Sequence, residues 1–284
     1  MLFAAFIAVI CQLEGYRCAH TLHVERFLFE TGSVTEPKRF VVVSDLHESE
    51  FGENNSDLVE KIKELEPDAI LCLGDMITSS VSDEDLHIGI DLLSDLAEIA
   101  PLYMSLGNHE VVYARRNGYG VIKMIAGTGA RLLECGYVDL PAGDGIIRVG
   151  GIARCVYNYQ NSAKVFEESS AWAFMTKFCD TDGFKILLCH IPTDYYPLDG
   201  KSDFIDWDCD LVLSGHTHGG LWQIPGIGSP YLPKQGFFPK LDKGMKQVGN
   251  AKMIIGAGLG HEGKLFRFND PCEIVVVDIV PKGS

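Results

Sequence analysis

Residues 39–45 read RFVVVSD, residues 69–75 AILCLGD and residues 101–108 PLYMSLGN. Each is a short apolar run that breaks off at a polar group: Asp45, Asp75 or Asn108. Runs of this length, rich in Val, Ile and Leu, are too short for helices and suit strands buried on both faces. The same pattern recurs in IIRVGGI (146–152), FKILLCH (184–190), DLVLSGH (210–216), KMIIGAG (252–258) and EIVVVDI (273–279).

Between the first two strands, Ser56 can cap a helix that carries Leu58, Ile62 and Leu65 at helical spacing and is stopped by Pro67. Ser82 with Asp85 resembles a capping box ahead of Leu86, Ile90, Leu93 and Ala97. A third helix is expected after Asn117 and a fourth over much of 162–178. This β-α-β-α-β opening predicts an α/β protein. In such sheets the carboxyl ends of the strands deliver side chains to a shared crevice, so chemistry is to be sought there.

The strand ends present Asp45 and His47 (SDLH), Asp75 (LGDM), Asn108 and His109 (LGNHE), His190 (LLCHIP), then His216 and His218 (SGHTH). Singly, each motif is weak, because Asp or Asn after a strand is usually a turn or cap residue. Turn roles do not explain why successive strands should each end in a metal-competent group. Carboxylate, amide oxygen and imidazole together suit hard or borderline divalent metals, with no soft thiolate in the set. Two metals about 3.5 to 4 Å apart need a bridging carboxylate, and Asp75, alone at the end of its strand, is the candidate.

In this respect the sequence resembles the calcineurin-like metallophosphoesterase family, whose signature is D-x-H, G-D, G-N-H-[DE], a lone H, then G-H-x-H. All five blocks occur in order from Asp45 to His218. The resemblance implies a two-sheet β-sandwich flanked by helices, a four-layer α/β/β/α fold. It also implies two divalent metal ions, for which Mn, Fe and Zn all suit the ligands. One would take Asp45, His47 and His218, the other Asn108, His190 and His216, with Asp75 shared. A hydroxide held between the metals would attack phosphorus in line. His109 would contact the scissile phosphate or protonate the leaving oxygen. Glu110 reads equally as an acceptor that orients an imidazole or as a helix-start carboxylate.

Beyond the ligands, GHTHGG, FFPK, GAGLG and R-F-x-x-P-x-E (Arg267 to Glu273) look like a subgroup of membrane-associated bacterial phosphodiesterases. That subgroup includes enzymes that hydrolyse the pyrophosphate of acylated UDP-sugars. The expected function is hydrolysis of a phosphodiester or pyrophosphate bond in a lipid-linked or envelope-precursor substrate. A phosphomonoesterase or nucleotide phosphodiesterase on a soluble substrate is the alternative. A non-catalytic binding module of the same fold would be expected to have lost ligands, and none is missing.

The 284 residues carry a formal net charge of −15, which argues against a broad basic surface for nucleic acid. It does not argue against a phosphate ester, since bound cations add charge locally. The nine cysteines form no C-x-x-C pair and lie largely in apolar runs, which points to buried free thiols and a reducing compartment. Residues 2–13 (LFAAFIAVICQL) are uncharged but shorter than the roughly 20 apolar residues of a spanning helix, and no Lys or Arg precedes them. A buried element, a clipped anchor and an interfacial segment all fit. The division is therefore an N-terminal segment, 1–18, and a phosphoesterase domain, 19–284, either membrane-associated or cytoplasmic.

Four residues are candidates for substrate contact. Arg115 and Arg267 could meet a phosphate, although a solvated cation explains each as well. Phe237 and Phe238 lie in 221–241 (LWQIPGIGSPYLPKQGFFPKL), whose Pro and Gly preclude a regular helix. This stretch reads either as a loop packed on its own aromatics or as an apolar lip with Lys234 and Lys240 facing anionic headgroups. Gly258, Gly260 and Gly263 satisfy G-x-G-x-x-G, but the following KLFRFNDPCE lacks helical periodicity, so a dinucleotide fingerprint fails and an active-site loop is favoured. His261 in that loop, with His20, His23 and His87, reads as surface or structural.

Overall fold

The computed structural model describes residues 2–152, 170–198, 204–261, 263 and 266–283. All eight expected strands form, as β2 (Lys38–Val43), β3 (Ala69–Cys72), β4 (Leu102–Met104), β7 (Gly145–Gly151), β8 (Phe184–Leu188), β9 (Leu211–Ser214), β13 (Ala251–Ile255) and β14 (Cys272–Pro281). Additional strands are β1 (Leu22–Thr31), β5 (Arg131–Leu132), β6 (Gly136–Ala142), a small hairpin of β10 (Tyr231–Leu232) and β11 (Gly236–Phe237), and β12 (Gly244–Val248). They make two six-stranded sheets, ordered β1-β14-β2-β3-β4-β5 and β12-β13-β9-β8-β7-β6. The strands β2 to β5 run parallel to one another, as do β7, β8, β9 and β13.

Strand alternation divides the core. Phe40, Val42, Leu71 and Leu73 face Ile147, Val149, Ile186, Leu188 and Leu213 across the gap between the sheets. Val41, Val43, Ile70, Cys72 and Met104 turn the other way, against Leu58 and Ile62 of α2 (Ser56–Glu64), Leu92 and Leu96 of α3 (Leu86–Ile99), Tyr113 of α4 (Asn108–Asn117) and Ile125 of α5 (Gly120–Gly127). On the far side of the second sheet, Leu187, Val212 and Met253 meet Phe174 and Phe178 of α6 (Ser170–Cys179). Each Val, Leu or Ile so buried contributes about 1.5 to 3 kcal/mol. The result is the helix, sheet, sheet, helix layering expected.

One local expectation is corrected. Asn55, in a left-handed conformation, occupies the cap position of α2 and Ser56 is its first helical residue. The helix expected after Asn117 forms as α5, and an unexpected α4 precedes it, ending at its C-cap Gly118. Of 162–178, residues 162–169 lie outside the described residues and the remainder is α6. The apolar N-terminus is helical over Leu2–His20, α1. Among the described residues no helix is long and apolar enough to cross a membrane. Eight described cysteines are free thiols, five of them buried.

Candidate metal centre

The parallel strands of the two sheets end along one edge, where their following loops are stitched together. Asp45 N–H donates to Gly74 O (2.9 Å), Ser105 N–H to Cys72 O (3.0 Å) and Gly215 N–H to His190 O (3.0 Å). A second set crosses between sheets: His216 N–H reaches both Asp45 oxygens at 3.0 and 3.1 Å, and His190 Nε2 lies 2.8 Å from Asp75 Oδ2. Asp45, His47, Asp75, His216 and His218 all have positive φ, between 49° and 67°. This conformation is uncommon outside glycine and concentrates at functional sites.

Two glycines allow the loops to touch. A Cβ on Gly74 (φ 99°) would fall 2.0 Å from Gly107 N, and one on Gly107 would fall 2.1 Å from Asp75 Oδ1. Glu110, three residues into α4's first turn, binds this junction: its carboxylate accepts N–H bonds from Gly107 (2.9 Å), Asp75 (2.9 Å) and Met76 (2.7 Å). Its bonds among the described residues are all to main chain, in keeping with the helix-start reading. Burial, and after it the Asp75 charge, push its pKa up to about 7.

The expected ligands converge. Asp45, His47 and His218 form one group whose ligand atoms lie within 4.8 Å of one another, and Asp75, His190 and His216 form another. His47, Asp75 and His109 make a third, linking the two. The ring nitrogens of His47 and Oδ1 of Asn108 are buried and have no hydrogen-bond partner among the described residues. Unpaired buried polar atoms are costly, and here they belong to the residue types that bind divalent cations. The donor set thus fits a metal.

The imidazoles are prepared for that role. Burial holds His47 and His218 down at about 3 and His216 well below its ordinary range, leaving them neutral with a lone pair to give. His190 differs: burial disfavours its charge, but the Asp75 carboxylate outweighs this and raises it to about 9. Asp75 is lowered in turn, against burial, by His190. A cation binding His190 must displace that proton. His190 Nδ1 is fixed on Leu73 O (3.0 Å) and His218 Nδ1 on Gly260 O (3.0 Å), so both rings present Nε2 to the centre.

Among the proposed substrate contacts, Arg267 is corrected. It is 1% exposed, and its guanidinium donates to Ala257 O (2.7 Å), Gly260 O (2.6 Å) and Asp270 Oδ2 (3.2 Å). It braces the 256–260 loop from behind and does not face solvent. Arg115 is exposed in the last turn of α4, away from that helix's Asn108 end. Phe237 and Phe238 are 79% and 63% exposed, so these aromatics do not pack inward. Their loop leaves the centre directly after His218, through the short helix His218–Gly220. Glu48, Thr78 and Ser79 were not anticipated: Glu48 accepts bonds from Thr78 N and Oγ1, and Ser79 N–H donates to His109 Nδ1 at 2.8 Å. The only signal was a run of polar groups continuing past each ligand, in HESE and TSS.

A sheet-edge cluster of this composition suits a metal-dependent hydrolase, and the family match supports that class. Residues 38–220 match the family model described as calcineurin-like phosphoesterase, and the chain belongs to that family. An uncharacterized metallophosphoesterase of Aquifex aeolicus is 27% identical, covering 98% of this chain and all of that protein. Phosphodiesterase YaeI of Escherichia coli is 24% identical over 86% of this chain and 83% of its own length. Among solved structures, the phosphopantetheinyl hydrolase PptH of Mycobacterium tuberculosis aligns with a TM-score of 0.46 at 14% identity, over 81% of this chain and 91% of that one.

Proposed function

We propose that this chain hydrolyses a phosphodiester or pyrophosphate bond with two divalent cations bound at the strand ends. The observation that carries the reading is Asp75, whose carboxylate belongs to both the His190–His216 group and the His47–His109 group. Asp45, His47 and His218 would hold one cation and Asn108, His190 and His216 the other, with Asp75 available to both. Mn, Fe and Zn each suit this set. When bound, the cations offset phosphoryl charge and activate water for in-line attack. The protein's own part is to fix these ligands, to exclude other partners from them by burial, and to aim His109 at a phosphoryl or leaving oxygen. The name of the Escherichia coli relative, a phosphodiesterase, supports the diester.

The substrate is proposed to be lipid-linked. Phe237 and Phe238, with Tyr231 (49% exposed) against Phe237 at 5.3 Å between ring centres, offer an apolar lip on the loop that follows His218. Lys234 and Lys240 share this loop. Peripheral membrane contact would add α1, whose Val9, Ile10, Leu13 and Tyr16 are exposed. That helix adjoins the start of the same loop: Gly15 lies against Phe266, whose ring is tilted against that of Trp222 with centroids 5.5 Å apart. The test is a panel of bis-p-nitrophenyl phosphate, p-nitrophenyl phosphate and a lipid pyrophosphate on metal-loaded protein. We expect the diester and lipid pyrophosphate to be cleaved, and Phe237→Ser with Phe238→Ser to depress only the lipid reaction. Preference for the monoester would favour the soluble alternative, and equal losses on all substrates would remove the lip.

A further inference from the structure

We propose that Glu48 is a positioning residue that sets the tautomer of His109 through the main chain of residues 78 and 79. This inference rests on the proposed hydrolytic role of His109. Glu48 lies in the turn after β2, where His47 and Glu48 both have positive φ (49° and 53°). That turn carries its carboxylate across to the loop after β3. There Oε1 accepts Thr78 N–H and Oε2 accepts the Thr78 hydroxyl at 2.8 Å. Thr78 is 8% exposed, and the double anchor leaves its peptide little freedom. The next amide, Ser79 N–H, points at His109 Nδ1 at 2.8 Å.

A ring nitrogen that accepts an N–H bond carries no proton itself, so the imidazole proton is placed on Nε2. Nε2 is the atom that faces the centre, 3.9 Å from Asp75 Oδ2. The His47 ring stands edge-on to the His109 ring with centroids 4.8 Å apart, limiting rotation. His109 is thereby presented as an N–H donor toward an oxygen of the substrate. A carboxylate on Nδ1 would impose the opposite tautomer, and here the carboxylate is one step removed, acting on Thr78.

The experiment combines kinetics and nitrogen NMR on the zinc-loaded full chain, with bis-p-nitrophenyl phosphate as substrate. Glu48→Ala should lower kcat about ten- to a hundredfold, the range for losing a group that orients a reactive imidazole, with KM and zinc content kept. Glu48→Gln, which retains an acceptor for Thr78 N–H, should restore most of it. On a His109→Ala background, Glu48→Ala should cost nothing further. Long-range 1H–15N spectra should show an unprotonated Nδ1 and a protonated Nε2 in the native chain, with the pattern lost in Glu48→Ala. A protonated Nδ1 in the native protein, or additive losses in the double variant, would overturn the inference. Absence of turnover on every phosphoester would instead defeat the hydrolytic reading, and the spectra would still decide the tautomer.

Discussion

Asp75 answers several demands with one carboxylate. Oδ1 accepts His109 N–H at 2.7 Å, Oδ2 faces His190, and Gly107 leaves room for both. Replacing it with Asn removes the charge that two cations would share, so Asp75→Asn should lose metal and activity together. His109→Ala should keep its metal and lose turnover by about a hundred- to a thousandfold, the cost of one donor to developing charge. Metal analysis beside kcat separates the two, and near-native turnover in both would refute the assignment. The ligand types were readable because each stands where an apolar run stops. Glu110 was only half readable: its spacing from Gly107 marks a helix start, but its bonds to Asp75 and Met76 depend on two loops meeting, which spacing does not encode.

The 256–260 loop shows how an element can support a ligand it does not contain. Arg267 grips Gly260 O, and the same carbonyl receives His218 Nδ1. Lys243 steadies Asp270 (3.1 Å) and Glu273 (2.6 Å) beneath it. Arg267→Met should weaken metal binding about 10- to 100-fold through His218, measured by calorimetric titration, while circular dichroism still shows a folded chain. Unchanged affinity would mean that the carbonyl needs no brace. At this scale, central strands declared themselves as apolar runs buried on both faces. The edge strands did not: β1, β6 and β12 alternate largely between half-buried and exposed positions. Such half-wet sequences resemble loops. Arg267 was misjudged because a charged residue reads as solvated until the carbonyls around it are known.

For the whole molecule, the cluster ties together two sheets whose facing surfaces pack mainly through apolar side chains. Cations that bind the folded chain and not the unfolded one add about 2.7 kcal/mol at a hundredfold excess over Kd. That corresponds to a rise in Tm of about 5 to 10 °C. Chelation should therefore lower Tm by this amount and re-addition should restore it; a Tm indifferent to metal would place the ligands apart in solution. The order of the first sheet has a further consequence. β14, the last strand, sits between β1 and β2, pairing with β1 along ten positions from Leu22–Cys272 to Thr31–Pro281. On a ribosome, β1 emerges long before the strand that pairs with it, because residues 32–271 are made in between. The first sheet is thus completed only once residues 272–281 have emerged, and until then the waiting strand is a segment for a chaperone to guard.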